Sequence, residues 1–476
     1  MDSVRQAFGV EAWPLRHALR LLGDGWQEFD ALVRETAAPR RDVEDLLAAL
    51  GDDLQRDGTA VRLRPGAPAR YEDLAAPGPE PAGLLDTVAA HIRDVPPALA
   101  ALDHVQATPE TVLRRARWLD EQYDLRTTRL LFLGDHDLTS LAVRLLRPEA
   151  RLTVVDVDDR VLEYLDRHSG RTIRTVHTDL RFGLPLAVAG SADVVFSDPP
   201  YTPEGMALFA SRGIECLADP PQGRLLLAYG YSRRHPALGQ QAQRALGALG
   251  LTFEAILPGF HRYLGAQAIG SAADLYVCQP TARARKKGRS KGAGKGTGIY
   301  THGPQSVEAR ETPPVLRTAL TELAGEGGLR VETRGPDWNA PITAEDAAIA
   351  LDLSADPGPW LVRALLATNA PRVAVLLPNS HPDLASARAQ QELTGLLAPK
   401  YRLQLLRSTP DNHHAVVIAE AVPPDPATAA RAVWSRAHGR LANVWPDAPP
   451  DVADLRLIDL PRHRLAEARD ALATPS

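Results

Sequence analysis

The chain predicts an α/β protein organised around a doubly wound sheet, and three observations carry that prediction. Between residues 129 and 229, apolar runs rich in Val, Leu and Phe alternate with amphipathic helical segments, the pattern of strands with helices on both faces. Four successive runs end in carboxylates: Asp135 and Asp137, Asp156 and Asp158, Asp179, and Asp198. Ligands of such sheets bind outside the carboxyl ends of the strands, so this recurrence marks a site rather than a solvated face. At 476 residues the chain exceeds what one core organises, so further units must flank the sheet.

The first flanking unit spans 1–74. Leu15, Leu19 and Leu22 share one helical face, and Phe29, Leu32 and Val33 mark a second helix. Pro39 opens a third, with Val43, Leu46, Leu47 and Leu50 at i, i+3, i+4 and i+7. DLQRDGTAVRLRP then reads as a hairpin turning at Asp57-Gly58. Three helices and a wing make a winged helix, a shape that often binds DNA. Arg40 and Arg41 begin the would-be recognition helix, but Asp42, Glu44 and Asp45 follow at once. That acidity repels phosphates and favours a structural or dimerising role.

The proline-rich stretch AAPGPEPAG, 75–83, is a linker. GLLDTVAAHIRDV and PETVLRRARWLDEQY are helical, the latter with Thr108 as N-cap and Pro109 in first position. The sheet unit, 84–280, follows. RLLFLGDHD, RLTVVDVDD, TIRTVHTDL, ADVVFSDPP and GRLLLAYGYS are its strands, with helices at LTSLAVRLL, RVLEYLDRHS and GMALFASRGIECL. GLTFEAILPGFHRY and DLYVCQP close it as an edge hairpin.

Each strand end has a chemical task. Gly134 lets the chain turn close against a ligand. Asp156 can accept ribose hydroxyl hydrogens, and Asp179 can accept from an adenine amino group. GDHDLTS holds one glycine, so the dinucleotide phosphate cradle is absent and an adenosyl ligand fits better than NAD or FAD. On this reading Asp156→Ala weakens donor binding and leaves folding nearly unchanged. Simpler roles also stand: Asp135 or Thr139 as a helix cap, Asp179 as a turn cap. In SDPPYTPEG, Asp198 ends a buried strand. Pro199 and Pro200 stiffen the loop and remove two backbone donors, and Tyr201 adds a flat face and a hydroxyl. A carboxylate beside rigid proline carbonyls suits a substrate amine, since both accept N–H bonds. Amino-group methyltransferases carry DPPY where they hold the attacked nitrogen.

Taken in order, TPETVLRRA, GDHDLTSLA, VVDVDDRVLEYL, HTDLRFGLP and SDPPYTPEG resemble the branched-chain polyamine synthases, N4-bis(aminopropyl)spermidine synthases. The resemblance covers roughly residues 1–280 and implies a Rossmann-like, methyltransferase-type sheet behind a winged helix. It implies aminopropyl transfer from decarboxylated S-adenosylmethionine to a polyamine amine, releasing methylthioadenosine. Carried over, Gly134, Asp135, Asp156, Asp179 and Leu180 hold the donor. Asp135 and Asp137 border the acceptor amine, with His136, Pro199, Pro200 and Tyr201 as further acceptor contacts. Asp198 and Asp137 are the candidate proton acceptors. The family motif is usually Gly-Asp-Asp-Asp, and this chain has His136 at the middle acid. An imidazole still takes a proton near neutrality but holds a cationic amine less well than a carboxylate.

Residues 281–298, TARARKKGRSKGAGKGTG, form a basic linker with Arg285, Lys286 and Lys287 at its centre. Residues 299–476 form an additional C-terminal α/β domain, with strands at GLRVET, AIALDLS, RVAVLLPN, YRLQLLRS and HHAVVIAEAV. AIALDLSADPGPWLVRALLA faintly echoes the DPPY segment, with Asp352 in the place of Asp198 but no second PPY. This is either a degenerate Rossmann-like unit or an appendage. His413 and His414 have no metal-ligand company and read as structural.

Composition excludes several classes. A net charge of −5 argues against a chain that coats nucleic acid and suits a small cationic substrate. Two cysteines, Cys216 and Cys278, build neither a disulfide framework nor a cysteine-rich metal site. Neither a signal-peptide pattern nor a long apolar run is present, which predicts a cytoplasmic protein without membrane association. The remaining expectations are a homodimer, no required metal, and S-adenosylmethionine or its decarboxylated form as co-substrate. An amino-methyltransferase acting on nucleic acid or a small amine, and a winged-helix regulator sensing an adenosyl ligand or polyamine, stay as alternatives.

Overall fold

The computed structural model describes residues 2–284, 298–301, 306–308, 312–423 and 428–473. The amino-terminal unit holds α1 (Asp2–Phe8), α2 (Trp13–Asp24), α3 (Phe29–Thr36), α4 (Arg40–Leu50) and α5 (Pro68–Ala75). Its strands are β1 (Gln27–Glu28), β2 (Leu54–Asp57) and β3 (Ala60–Leu63), in the order β1-β3-β2. The leucines read from the sequence as helix faces, Leu15, Leu19, Leu22, Leu46 and Leu50, meet in one core separate from the rest. Arg40, at the head of the would-be recognition helix, is paired with Glu44 one turn on at 2.9 Å. Residues 285–297, the centre of the basic linker including Arg285, Lys286 and Lys287, lie outside the described residues.

After α6 (Leu84–Asp94) and α7 (Pro109–Gln122) comes the main sheet. Thr108 caps α7 by accepting from the Thr111 N–H, as its place before Pro109 predicts. Strands β4 (Arg129–Leu133), β5 (Arg151–Asp156), β6 (Arg174–His177), β7 (Val194–Ser197) and β8 (Arg224–Tyr229) are parallel. They interleave with α8 (Thr139–Leu146), α9 (Asp159–Ser169), α10 (Pro203–Cys216) and α11 (Pro236–Ala248). β9 (Leu251–Arg262) and β10 (Ala272–Pro280) join as the expected antiparallel hairpin, giving the order β6-β5-β4-β7-β8-β10-β9. β10 pairs with β8, so β9 forms the edge. Leu130 and Phe132 of β4 face α6–α9, whereas Leu131 and Leu133 face α10 and α11, the period-two alternation of a sheet covered on both sides. The order places β6, β5, β4 and β7 side by side, so the four acidic strand ends are neighbours in space.

The second α/β unit contains α12 (Pro314–Ala324), β11 (Arg330–Arg334), β12 (Ile342–Thr343), β13 (Ala347–Asp352), α13 (Trp360–Ala367) and β14 (Thr368–Asn369). β15 (Arg372–Pro378), α14 (Ala387–Leu397), β16 (Tyr401–Leu406) and β17 (His414–Ala421) follow, then α15 (Ala429–Ser435), α16 (Leu441–Val444) and α17 (Arg462–Ala473). Its five-stranded sheet runs β11-β13-β15-β17-β16, one strand for each apolar run read from the sequence. Asp352 ends β13 as expected, but its carboxylate takes the Ser354 N–H and the Thr312 hydroxyl. No acidic cluster like that of the first sheet forms around it among the described residues.

The two sheets share one continuous apolar core, and charged pairs lock its rim. Asp159 accepts from the fully buried Arg363 at 2.6 Å and from the Arg462 N–H at 2.8 Å. Arg174 meets Asp454 at 2.7 Å, and His463 meets Asp166 at 2.7 Å. Gly183 has φ +138°, a backbone setting that favours glycine, and a Cβ there would fall 2.5 Å from Asn339 Oδ1 of the second unit. No helix among the described residues is long and apolar enough to cross a membrane.

Removing one partner of a buried ion pair leaves an uncompensated charge, at a cost of about 3–5 kcal/mol. Asp159→Ala, which strands Arg363, should lower the urea unfolding free energy by that order. An unchanged midpoint would show that Arg363 finds another acceptor.

Candidate active site

The strand ends open into a cavity of about 420 Å³. Its floor comes from the loops after β4, β5, β6 and β7, and its other walls come from residues 100–105, 263–269 and 299–301. The last segment is pinned in place. Thr202 Oγ1 donates to the Ile299 carbonyl at 2.6 Å, and the Thr301 backbone and hydroxyl both donate to Asp103.

Gly134 takes φ +74°, the left-handed turn that brings Asp135, His136 and Asp137 round to the cavity. Asp135 accepts from Ser140 Oγ at 2.5 Å and from the Ser140 N–H. It therefore caps α8, and burial pushes it well above the usual carboxylate range. Asp137 Oδ1 accepts from the Ala107 N–H at 2.6 Å and from Gln106 Nε2, and its Oδ2 accepts from Arg115 at 2.8 Å. A carboxylate offers about four acceptor sites, so Asp137 is already mostly occupied. Asp135 and Asp137 thus anchor the loop while both line the cavity, where an acceptor amine was expected to meet them.

Asp156 ends β5 and accepts from the backbone N–H groups of Asp135 and Asp158, both at 2.8 Å. Each oxygen keeps one acceptor site, which fits two ribose hydroxyls. The same contacts correct the expectation that Asp156→Ala spares folding, since two buried N–H groups depend on it. Asp179 lines the cavity, but its carboxylate is gripped by Arg181 through N, Nε and a terminal nitrogen at 2.6–3.2 Å. Three N–H groups of Arg181 thus fill most of about four acceptor sites, leaving about one for the adenine contact expected of that carboxylate. Leu180 beside it presents an apolar wall.

Asp198 stands one residue beyond β7, with Pro199 and Pro200 behind it on the cavity wall. Its Oδ2 accepts from Arg115 at 2.6 Å and from Tyr263 Oη at 2.8 Å, and its Oδ1 accepts from Tyr201 Oη at 2.8 Å. The two tyrosine hydroxyls also lie 2.7 Å apart. Oδ2 accepts two bonds and Oδ1 one, so of about four acceptor sites on the carboxylate one on Oδ1 stays open to an incoming N–H. Burial raises Asp198 above its ordinary range against the opposing pull of Arg115, and burial pushes both tyrosines well up. They stay protonated and donate.

Three comparisons bear on this geometry. The family model described as the branched-chain polyamine synthase A C-terminal domain matches residues 83–283. An uncharacterized protein of Methanocaldococcus jannaschii is 38% identical over 173 residues, 36% of this chain and 43% of that one. The N(4)-bis(aminopropyl)spermidine synthase of Thermus thermophilus is 30% identical over 268 residues, 52% of this chain and 74% of that protein. The chain belongs to the branched-chain polyamine synthase family. It spans about half the length of the first three curated relatives it matches. A crystal structure of the Thermus thermophilus branched-chain polyamine synthase with N4-aminopropylspermidine and 5'-methylthioadenosine aligns at 23% identity and TM-score 0.38, over 60% of this chain and 94% of that one.

Within this family member, four residues that the sequence reading passed over shape the site: Arg115, His261, Tyr263 and His104. Arg115 donates from Nε to His261 Nδ1 at 3.0 Å, and its terminal nitrogens reach Asp137 and Asp198. One signal was available. Val112, Arg115, Ala116 and Leu119 follow the i, i+3, i+4, i+7 stripe of α7, so Arg115 occupies an apolar-face position and must be buried with acids around it. His104 stacks on His136, with ring centroids 5.0 Å apart, and burial lowers both imidazoles below their usual range. His104, His261 and Tyr263 sit in irregular or edge segments where no periodicity points to them.

Asp156 yields a signed expectation. Burial raises its folded value from 3.8 to about 6, so its stabilising contribution is full below pH 3.8 and lost as pH rises through about 6. Asp156→Ala should remove that slope. It should also cost about 1–3 kcal/mol for each backbone N–H left unpaired. Urea titrations at a series of pH values test both, and parental stability in the variant would contradict the assignment.

Proposed function

We propose that this protein is an aminopropyltransferase that moves an aminopropyl group from decarboxylated S-adenosylmethionine to an amine of a polyamine, releasing methylthioadenosine. The observation that carries the reading is Asp198, held on a rigid proline turn in the cavity with an acceptor position open beside two tyrosine hydroxyls. Relatives named N(4)-bis(aminopropyl)spermidine synthases support a spermidine-like acceptor. Asp156, with two acceptor sites left, suits the donor's ribose, and Leu180 suits the flat face of its base.

The chemistry asks little beyond alignment and an unprotonated amine. The amine nitrogen attacks the carbon bonded to the sulfonium sulfur. The N–C bond forms, the C–S bond breaks with its electron pair moving to sulfur, and the new ammonium hands its proton to Asp198. Alignment supplies roughly 7–11 kcal/mol of such a barrier. Tyr201 and Tyr263 hold the carboxylate towards the nitrogen, and Arg115 fixes it from behind. Pro199 and Pro200 line the wall and bring no competing backbone donors.

Incubating the protein with each donor and a polyamine panel, followed by mass spectrometry, tests the reading. Methylthioadenosine with an aminopropylated polyamine is the expected pair. S-adenosylhomocysteine with a methylated product would instead favour the amino-methyltransferase that DPPY also suits. Asp198→Asn should lower turnover by about 10²-fold or more, the usual contribution of a positioned acid–base group, with donor affinity little changed. In the parent, the acid limb of kcat should lie above the ordinary carboxylate range, because activity needs Asp198 ionised and burial raises it. Full turnover by Asp198→Asn would remove Asp198 from the proton path.

A further inference from the structure

We propose that His104, His136 and Asp158 form a binding site for one divalent transition-metal cation of the zinc or cobalt class, set in the wall of the cavity. Among the described residues, these three alone bring candidate ligand atoms from His, Cys, Asp or Glu within 4.8 Å of one another. They come from three separate elements: the loop before α7, the β4–α8 turn and the residue before α9.

The imidazoles carry the argument. His136 is 8% exposed, and Nδ1 of His136 and of His104 are buried without a hydrogen-bond partner. A buried polar atom without a partner costs about 1–3 kcal/mol, so two unpartnered imidazole nitrogens favour an occupant within reach of both rings. The rings lie 5.0 Å apart at 21°. Two imidazoles bound side by side to one ion, each at about 2.0–2.1 Å, put their ring centroids about 5 Å apart. The separation matches joint ligation, and the rings must turn from their near-parallel setting so that both in-plane lone pairs reach the ion.

Asp158 completes the set, although it is partly occupied. Its Oδ1 accepts from Arg160 N at 3.0 Å and Nε at 2.9 Å, and its Oδ2 accepts from Arg160 at 2.6 Å. Of about four acceptor sites on a carboxylate, one remains on Oδ2. Burial, ahead of the pull of Asp103, Asp137, Asp156 and Asp158, lowers both imidazoles, so both rings are neutral and free to offer a lone pair. Two imidazole nitrogens and one carboxylate oxygen select a borderline ion over calcium or magnesium. Three protein ligands leave a fourth position open, and His104 and His136 both border the cavity. That position is where a substrate amine or a water would bind. The site stands on these side chains alone and does not depend on the transferase reading.

The test uses the full chain stripped with a chelator and titrated with Zn²⁺ by calorimetry and with Co²⁺ by visible absorption. One equivalent of either ion is expected, with cobalt bands showing nitrogen ligation. His136→Gln and His104→Ala should each weaken binding by more than the 10–100-fold typical of losing an outer contact, while thermal unfolding of the metal-free variants stays near the parent's. The absence of stoichiometric binding in the parent would overturn the proposal, as would undiminished affinity in the double variant.

Discussion

The buried guanidinium of Arg115 is the constraint on which the site depends. Taking one such ion out of water costs several kcal/mol even after relaxation, so every N–H must find an acceptor. Nε goes to His261, and one terminal nitrogen goes to Asp137 and Thr139. The other goes to Asp198 and Tyr263. This one side chain therefore ties α7 to the turn after β4, the turn after β7 and the end of β9. It also sets the state of His261. Nδ1 must accept, so the ring is neutral with its proton on Nε2, in keeping with burial pushing that imidazole well below its usual value.

The same logic extends along the sheet. Six acids stand at four strand ends, and each has an internal donor. Asp135 has Ser140, Asp137 has Arg115, and Asp156 has two backbone N–H groups. Asp158 has Arg160, Asp179 has Arg181, and Asp198 has Arg115 with two tyrosines. The cavity is acidic by composition and largely neutralised by contact. The acceptor positions left open lie chiefly on Asp156, Asp158 and Asp198. Fixed dipoles of this kind need no reorganisation as charge moves during reaction.

How much of this was legible follows from what a sequence encodes. Hydrophobic period and turn residues are local, so the winged helix, the strands of both sheets, the Thr108 cap and the edge hairpin could be read directly. Strand ends are local as well, which is why Asp135, Asp156, Asp179 and Asp198 could be assigned to one cavity before any coordinates. Partners are not local. Nothing in HTDLRFGLP says whether Asp179 faces an adenine or Arg181, two residues away. Nothing in GDHD says that Asp137 is held by a helix twenty-two residues earlier. Arg115 alone left a trace, as a charge within an apolar stripe. His104 left none, because its loop has no period to violate.

The second α/β unit enters the site by a chain of packed groups. Asp356 accepts the backbone N–H groups of Gly358, Trp360 and Leu361, and the buried His381 closes on its carboxylate at 2.9 Å. This fixes the start of α13. There Trp360 lies under Arg181, whose Cζ is 4.7 Å from the indole centroid and 5.3 Å from the ring of Tyr300. Stacking of a guanidinium on aromatic faces is worth about 2 kcal/mol when desolvated. Arg181 in turn holds Asp179 and shapes the wall at Leu180. The wall assigned to the donor is therefore braced by an indole from the other unit. The shared core and the Asp159–Arg363 pair keep that indole in register with the strand ends.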